Sequence, residues 1–143
     1  LESWRSWRGW RLVVDRQLRF ALKELALVGC GAVPGAWLRW QSGVHLGPVL
    51  GGSAVSDLLV NLIGSFLLGF LAGPMPRRPS LLLLLGIGFC GCLTTFSSWM
   101  LDVVKLLQAG QPVLGLMLIV VSLVFGVACA AAGFQLSRRV FNA

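Results

Sequence analysis

A chain of 143 residues that is 57% hydrophobic and only 12% charged, with mean hydropathy +0.84, is not a soluble globular domain, which carries about a quarter charged residues. Its length suits one small polytopic membrane domain, with no room for a second. The net charge of +7 would also suit nucleic acid, but the basic residues lie outside the apolar runs, where the positive-inside bias accounts for them, so no nucleic-acid partner is expected.

Residues 1–20 form a basic arm. Trp4, Trp7 and Trp10 alternate with Arg5, Arg8 and Arg11, and Arg16 and Arg19 follow. Trp and Arg together suit the headgroup region, so an interfacial helix on anionic lipid is expected, with a solvated basic arm as the plain alternative. The membrane domain is read as residues 21–139 and the tail as 140–143. The first span runs from Phe20 or Leu25 to Trp40. It has no small-residue cleavage site, so no cleavable signal is expected. Gly31 and Gly35 have the G-x-x-x-G spacing that lets helices approach closely, Pro34 is a candidate kink, and Arg39 reads as a snorkelling interfacial anchor. Residues 41–55 hold Gly43, Gly47, Pro48, Gly51 and Gly52 and read as a loop. His45, with no Cys, Asp or Glu beside it, reads as a loop residue.

The second span covers about Asp57 to Gly73, with Ser56 or Asp57 as its N-cap. Asn61 lies about one turn inside, where a carboxamide is costly without partners. Either it bonds a neighbouring helix or it offers N–H donors to a passing anion. Gly64, Ser65 and Gly69 give this helix a small face. Pro74, Pro76 and Pro79 with Arg77 and Arg78 make a short basic loop.

The third span, Leu81 to about Leu107, is long enough to cross a bilayer but poor helix material in its middle. Gly86, Gly88 and Gly91 fall within six residues, each costing roughly 1 kcal/mol against Ala. Thr94, Thr95, Ser97 and Ser98 follow. Irregular backbone at membrane depth survives only where protein buries it or it lines a watery cavity, so a broken helix whose carbonyls and hydroxyls serve an ion is expected. The alternative is a glycine packing face with hydroxyls bonded to their own i−4 carbonyls. Gly86-x-Gly88-x-x-Gly91 fits the dinucleotide fingerprint literally, but it lacks the preceding strand that motif needs. Asp102 and Lys105 lie near the far end of the span, Gly110-Gln111-Pro112 makes a turn, and the fourth span, Val113 to about Leu136, is polar only at Ser122, Cys129 and Gln135. Cys30, Cys90, Cys92 and Cys129 lack C-x-x-C spacing and read as buried inert thiols.

An even number of spans puts both termini and the 74–79 loop on one side. That side holds five arginines from Arg5 to Arg19, Lys23, Arg77, Arg78, Arg138 and Arg139, against Arg39 and Lys105 on the other. Ten against two places the termini in the cytoplasm, in a multi-pass protein of the plasma (inner) membrane.

The segments Val60-Asn61-Leu62-Ile63-Gly64-Ser65 and Gly88-Phe89-Cys90-Gly91-Cys92-Leu93-Thr94-Thr95-Phe96-Ser97, with Gly31 through Trp40 ending the first span, closely resemble the small fluoride channels of the Fluc type (CrcB-like proteins). The resemblance covers roughly residues 25–139. It implies an all-α membrane protein of four transmembrane helices with a broken third helix, assembled as an antiparallel dimer with two anion pathways at the interface. It implies a structural Na⁺ at the dimer centre, held by backbone carbonyls that fall on Gly91 and Thr94. It implies a fluoride pathway using Asn61 as donor and the edge of Phe96, with Thr95, Trp99 and Ser122 beside it. An aromatic edge carries partial positive charge and can face an anion without trapping it.

The chain departs from the pattern at Cys92, where a glycine is usual, at Trp99, where a phenylalanine is usual, and on the fourth span, whose polar track is reduced to Ser122. Indole adds bulk and an N–H donor and is expected to narrow one lane. Given the charge bias, the expected partner is a homologous subunit of opposite orientation. Two rivals stand beside a passive fluoride channel. A proton-coupled small exporter needs a carboxylate at membrane depth, and Glu24, Asp57 and Asp102 all fall near span ends. The other is a non-conducting subunit of a heterodimeric channel. No nucleophile–base pair or metal cluster points to an enzyme.

Overall fold

The computed structural model describes the backbone of residues 2–74 and 79–141, and side chains from residue 14 onward. The tryptophans and arginines at positions 4–11, most of the predicted basic loop and the last two residues lie outside the described side chains. The described residues form seven helical segments and no strands: α1 (Glu2–Leu50), α2 (Ser53–Leu71), α3 (Pro79–Leu81), a π-helical stretch Leu82–Cys90, α4 (Gly91–Leu93), α5 (Ser97–Gln108) and α6 (Pro112–Phe141). Four stretches are long and apolar enough to cross a membrane: Val14–Leu50, Ser53–Leu71, Pro79–Gln108 and Pro112–Phe141. The fold is thus an all-helical membrane protein with four candidate spans.

α1 departs most from expectation. It runs unbroken for 49 residues, past Pro34 and Pro48, about 74 Å at 1.5 Å per residue. Residues 41–50, including His45, are helix and not loop. Isolated glycines cost a helix only about 1 kcal/mol each, so Gly43 and Gly47 do not stop it. Gly51 does. It adopts φ +87°, and the Gly52 N–H reaches back to the Gly47 carbonyl at 2.9 Å, the six-to-one bond of a Schellman cap. Gly110, at φ +73°, closes α5 in the same way. Its N–H bonds the Leu107 carbonyl at 3.1 Å, and the Gln111 N–H bonds the Leu106 carbonyl at 2.9 Å. Pro112, expected as the last turn residue, opens α6 instead. α2 begins at Ser53, three or four residues before the predicted caps Ser56 and Asp57. Gly52 precedes it without a capping side chain, so Ser56 and Asp57 are helical and buried rather than capping.

The bundle is two tightly packed helix pairs set against each other, α1 with the π-helical stretch and α2 with α6. Glycine makes both seams. A Cβ on Gly31 would meet the Leu84 carbonyl, one on Gly35 the Phe89 carbonyl, and one on Gly88 the Val28 carbonyl. The Gly31-x-x-x-Gly35 face packs as its spacing implied. On the other seam Gly69 faces the Ala130 backbone and Gly133 faces Phe66. Hydrocarbon gives helices no hydrophobic reason to associate, so close backbone approach carries the association. The buried apolar residues are few (Val60, Cys90, Leu93, Trp99 and Val103), while side chains such as Val33, Val113 and Val127 are about 70% exposed, as lipid-facing residues are. Cys90 is buried, but Cys30 is exposed and Cys92 and Cys129 are intermediate, so the four thiols do not share one buried environment.

Candidate functional site

The third span loses its helical course between Leu93 and Ser97. Thr94 turns to extended geometry, φ −73° and ψ 151°. Its N–H and its hydroxyl both donate to the Cys90 carbonyl, at 3.0 Å and 2.9 Å, and close the first half. The hydroxyl bond to its own i−4 carbonyl is therefore present, at the end of a helix and not within one. Asn61 then takes Thr95 by its peptide group. Its Oδ1 accepts the Thr95 N–H at 2.7 Å, and its Nδ2 donates to the Thr95 carbonyl at 2.9 Å. The neighbouring-helix alternative for Asn61 is realised, and one of its two amide hydrogens remains. Thr95 Oγ1 lies 3.0 Å from Ser98 Oγ and accepts the Ser98 N–H at 3.3 Å, as a capping hydroxyl does, which starts α5.

These side-chain bonds have a main-chain consequence. In a continuous helix the Thr95 N–H donates to the Gly91 carbonyl and the Ser98 N–H to the Thr94 carbonyl, by the i→i−4 rule. Here the first goes to Asn61 and the second to Thr95 Oγ1. The two carbonyls singled out in the sequence are thereby released from their usual donors. Gly91 is exposed, and a Cβ there would meet nothing within 4 Å.

Between α2, the interruption and α6 lies an open groove of about 440 Å³. Asn61, Thr95, Phe96, Trp99 and Ser122 all line it, with Ser65 added to the polar strip and Leu68, Leu123 and Val127 among the apolar walls. The sequence-predicted pathway residues therefore share one surface, and no ionised side chain lines it. Phe96 stands 71% exposed, its ring centroid 5.6 Å from that of Trp99 at 56°. Trp99 is buried at 7% exposure and donates its indole N–H to Ser122 Oγ at 2.9 Å.

The sequence reading missed a polar cluster beside the groove. Arg39 does not simply snorkel: its Nη1 lies 3.4 Å from Ser98 Oγ, and its Nε is buried without a partner. Asp102 is 6% exposed and accepts from Ser53 Oγ at 2.9 Å and Lys105 Nζ at 3.0 Å. Lys105 is itself more than half exposed, so that pair adds little stability. The available signal was the Ser53, Ser56 and Asp57 spacing, which puts three polar groups on one helix face. Among the described residues no group of three or more His, Cys, Asp or Glu could hold a metal.

Four apolar helices, an interrupted third span clamped by an asparagine and a groove that holds a polar strip and aromatic rings define a small multi-pass membrane protein. The chain belongs to the CrcB-like family: the model of the family described as "CrcB-like protein, Camphor Resistance (CrcB)" matches residues 26–134. It is 54% identical over 123 residues to "Fluoride-specific ion channel FluC 2" of Synechococcus sp. (strain CC9605), covering 86% of this chain and 87% of that one. From Parasynechococcus marenigrum (strain WH8102) it resembles two proteins. One is named FluC 2, at 53% over 86% of this chain and 87% of the relative. The other is named FluC 1, at 40% over 79% of this chain and 92% of the relative. The relatives are named as ion channels, a class without catalysis.

Proposed function

We propose that this chain is a fluoride-selective passive channel subunit whose anion pathway is the groove between α2 and α6. The observation that carries the reading is the convergence of Asn61, Thr95, Phe96, Trp99 and Ser122 on that one surface, in a family whose relatives are named for fluoride. The polar strip offers hydrogen-bond donors in place of water. The exposed Phe96 ring offers a weakly positive edge. The absence of an ionised side chain on the groove wall suits conduction, where binding has to be weak enough for release.

The interruption at 94–96 is the broken third helix of this reading, placed at the centre of an antiparallel dimer. The Gly91 and Thr94 carbonyls fit a hard cation. They are oxygen ligands, their usual helical donors are engaged elsewhere, and Gly91 is open to a second subunit. A structural Na⁺ there would be held by these two carbonyls, and when bound it would offset the dipoles that meet at the interface. Purified protein in liposomes is expected to release fluoride and not chloride, without a proton gradient. Replacing all Na⁺ by a bulky organic cation is expected to slow release. Equal chloride and fluoride rates, or a requirement for a pH gradient, would contradict the reading.

One strain holds relatives named both FluC 1 and FluC 2, and this chain is similar to each. With ten basic residues against two, the chain inserts one way, with its termini in the cytoplasm, and pairs with a FluC 1-like subunit inserted the other way. Reporters fused to either terminus are expected to report only the cytoplasm. Equal signals on both sides from the chain expressed alone, with fluoride release intact, would show a dual-topology homodimer.

A further inference from the structure

The wall of the groove opposite Asn61 is governed by a residue foreign to the usual pattern. Trp99 Nε1 and Ser122 Oγ are 2.9 Å apart. Indole nitrogen can only donate, so this bond has one sense: Ser122 accepts. A serine hydroxyl has one hydrogen and two lone pairs. With one lone pair committed to Trp99, the hydroxyl keeps one lone pair and its hydrogen, and among the described residues that hydrogen meets no protein acceptor. A phenylalanine at position 99 would leave that hydroxyl free to bond the carbonyl one turn back on its own helix or to accept from water.

Trp99 is also held in place, 7% exposed and in contact with the Phe96 ring. Across the groove, Asn61 spends one amide hydrogen on the Thr95 carbonyl and keeps the other. Each of these two polar groups therefore has a hydrogen free to donate. We propose that Trp99 is a positioning residue for fluoride: its indole N–H fixes the Ser122 hydroxyl with the hydrogen directed into the groove, so that the groove meets the anion with donors. This rests on the fluoride-pathway reading. It assigns the indole an ordering role in place of simple narrowing. A small hard anion gains most from an aligned O–H donor, because charge-assisted hydrogen bonds are short and strong, so the effect favours fluoride over chloride.

The test compares liposome efflux for the wild type, Trp99→Phe, Ser122→Ala and the double variant, with the fluoride concentration at half-maximal rate as the readout. Fluoride release by the wild type tests the pathway reading by itself; its absence removes that reading and this inference together. On a conducting background, Trp99→Phe is expected to raise the half-saturating fluoride about three- to tenfold, the worth of one hydrogen bond. Ser122→Ala is expected to do at least as much, and the double variant no more than Ser122→Ala. An unchanged or improved Trp99→Phe, or losses that add in the double variant, would overturn the proposal. A second measurement keeps the test valid if Trp99→Phe is poorly folded. Fluoride is expected to shift the Trp99 indole N–H resonance of the wild type and not that of Ser122→Ala, with chloride inert in both. An indole resonance that ignores fluoride, or that shifts equally without the Ser122 hydroxyl, would also overturn it.

Discussion

Replacing Asn61 by leucine, which keeps the size and removes the amide, is expected to slow fluoride release at least about a hundredfold and to lower thermal stability. The side chain holds both the N–H and the carbonyl of Thr95, at 2.7 Å and 2.9 Å, where the third span has no helical bonds of its own. Removing it orphans two main-chain groups at membrane depth. Each unsatisfied group costs about 1–3 kcal/mol, and no bulk water is at hand to replace the lost partner. A total on the order of 3 kcal/mol corresponds to about two decades in an equilibrium constant. The cheapest relief is for the Thr95 N–H to return to the Gly91 carbonyl and heal the helix, which removes a proposed Na⁺ ligand and a groove wall together. Ser65→Ala is the matched control. It lines the same groove without touching the interruption, and its effect should be several-fold smaller. Full efflux from Asn61→Leu, or equal losses in both variants, would show that the clamp is not what matters.

The four spans were legible because length and hydropathy alone decide them, and the Gly31 and Gly35 seam was legible because small residues at that spacing have one main use. Helix ends were not. Gly43, Gly47 and Pro48 look like breakers in a row, yet a helix absorbs single glycines for about 1 kcal/mol each. Only Gly51, whose φ is +87°, takes a conformation that stops it. That difference lies in the backbone angle and not in the residue type. Of the candidate site, the sequence singled out Asn61, Thr95, Phe96, Trp99 and Ser122, which line one groove. Their bonding was not legible. A carboxamide that could face an anion or a neighbouring peptide does the second with both of its polar atoms. Arg39 and Asp102 sit at span ends, where charge is ordinary, so nothing in their own spacing announced that Arg39 would reach Ser98 or that Asp102 would be buried against Ser53.

Leucine at Gly69 or Gly133 is expected to abolish recovery of folded protein, whereas leucine at Gly29 is expected to leave it intact. The three positions look alike in sequence, each a glycine in an apolar run. They differ in what stands opposite. A Cβ at Gly69 runs into the carbonyl and Cα of Ala130, and one at Gly133 into the Phe66 carbonyl and the Phe70 nitrogen. These are main-chain atoms of a packed helix, so no rotamer change relieves the clash. α2 and α6 would have to separate, and separation forfeits the contacts that hold membrane helices together. It also opens the groove, because Asn61 rides on α2 and Ser122 on α6. Overpacking a well-fitted interior typically costs about 1–3 kcal/mol, and clashes with rigid backbone belong at or beyond the top of that range, a large share of the roughly 5–15 kcal/mol that holds a typical protein folded. At Gly29 nothing lies within 4 Å of the added carbon; a leucine there points into lipid and replaces a poor helix former by a good one. Detergent-extracted yield and a monodisperse elution profile decide it: Gly69→Leu or Gly133→Leu eluting like the wild type would mean that the α2–α6 seam is looser than its backbone contacts require.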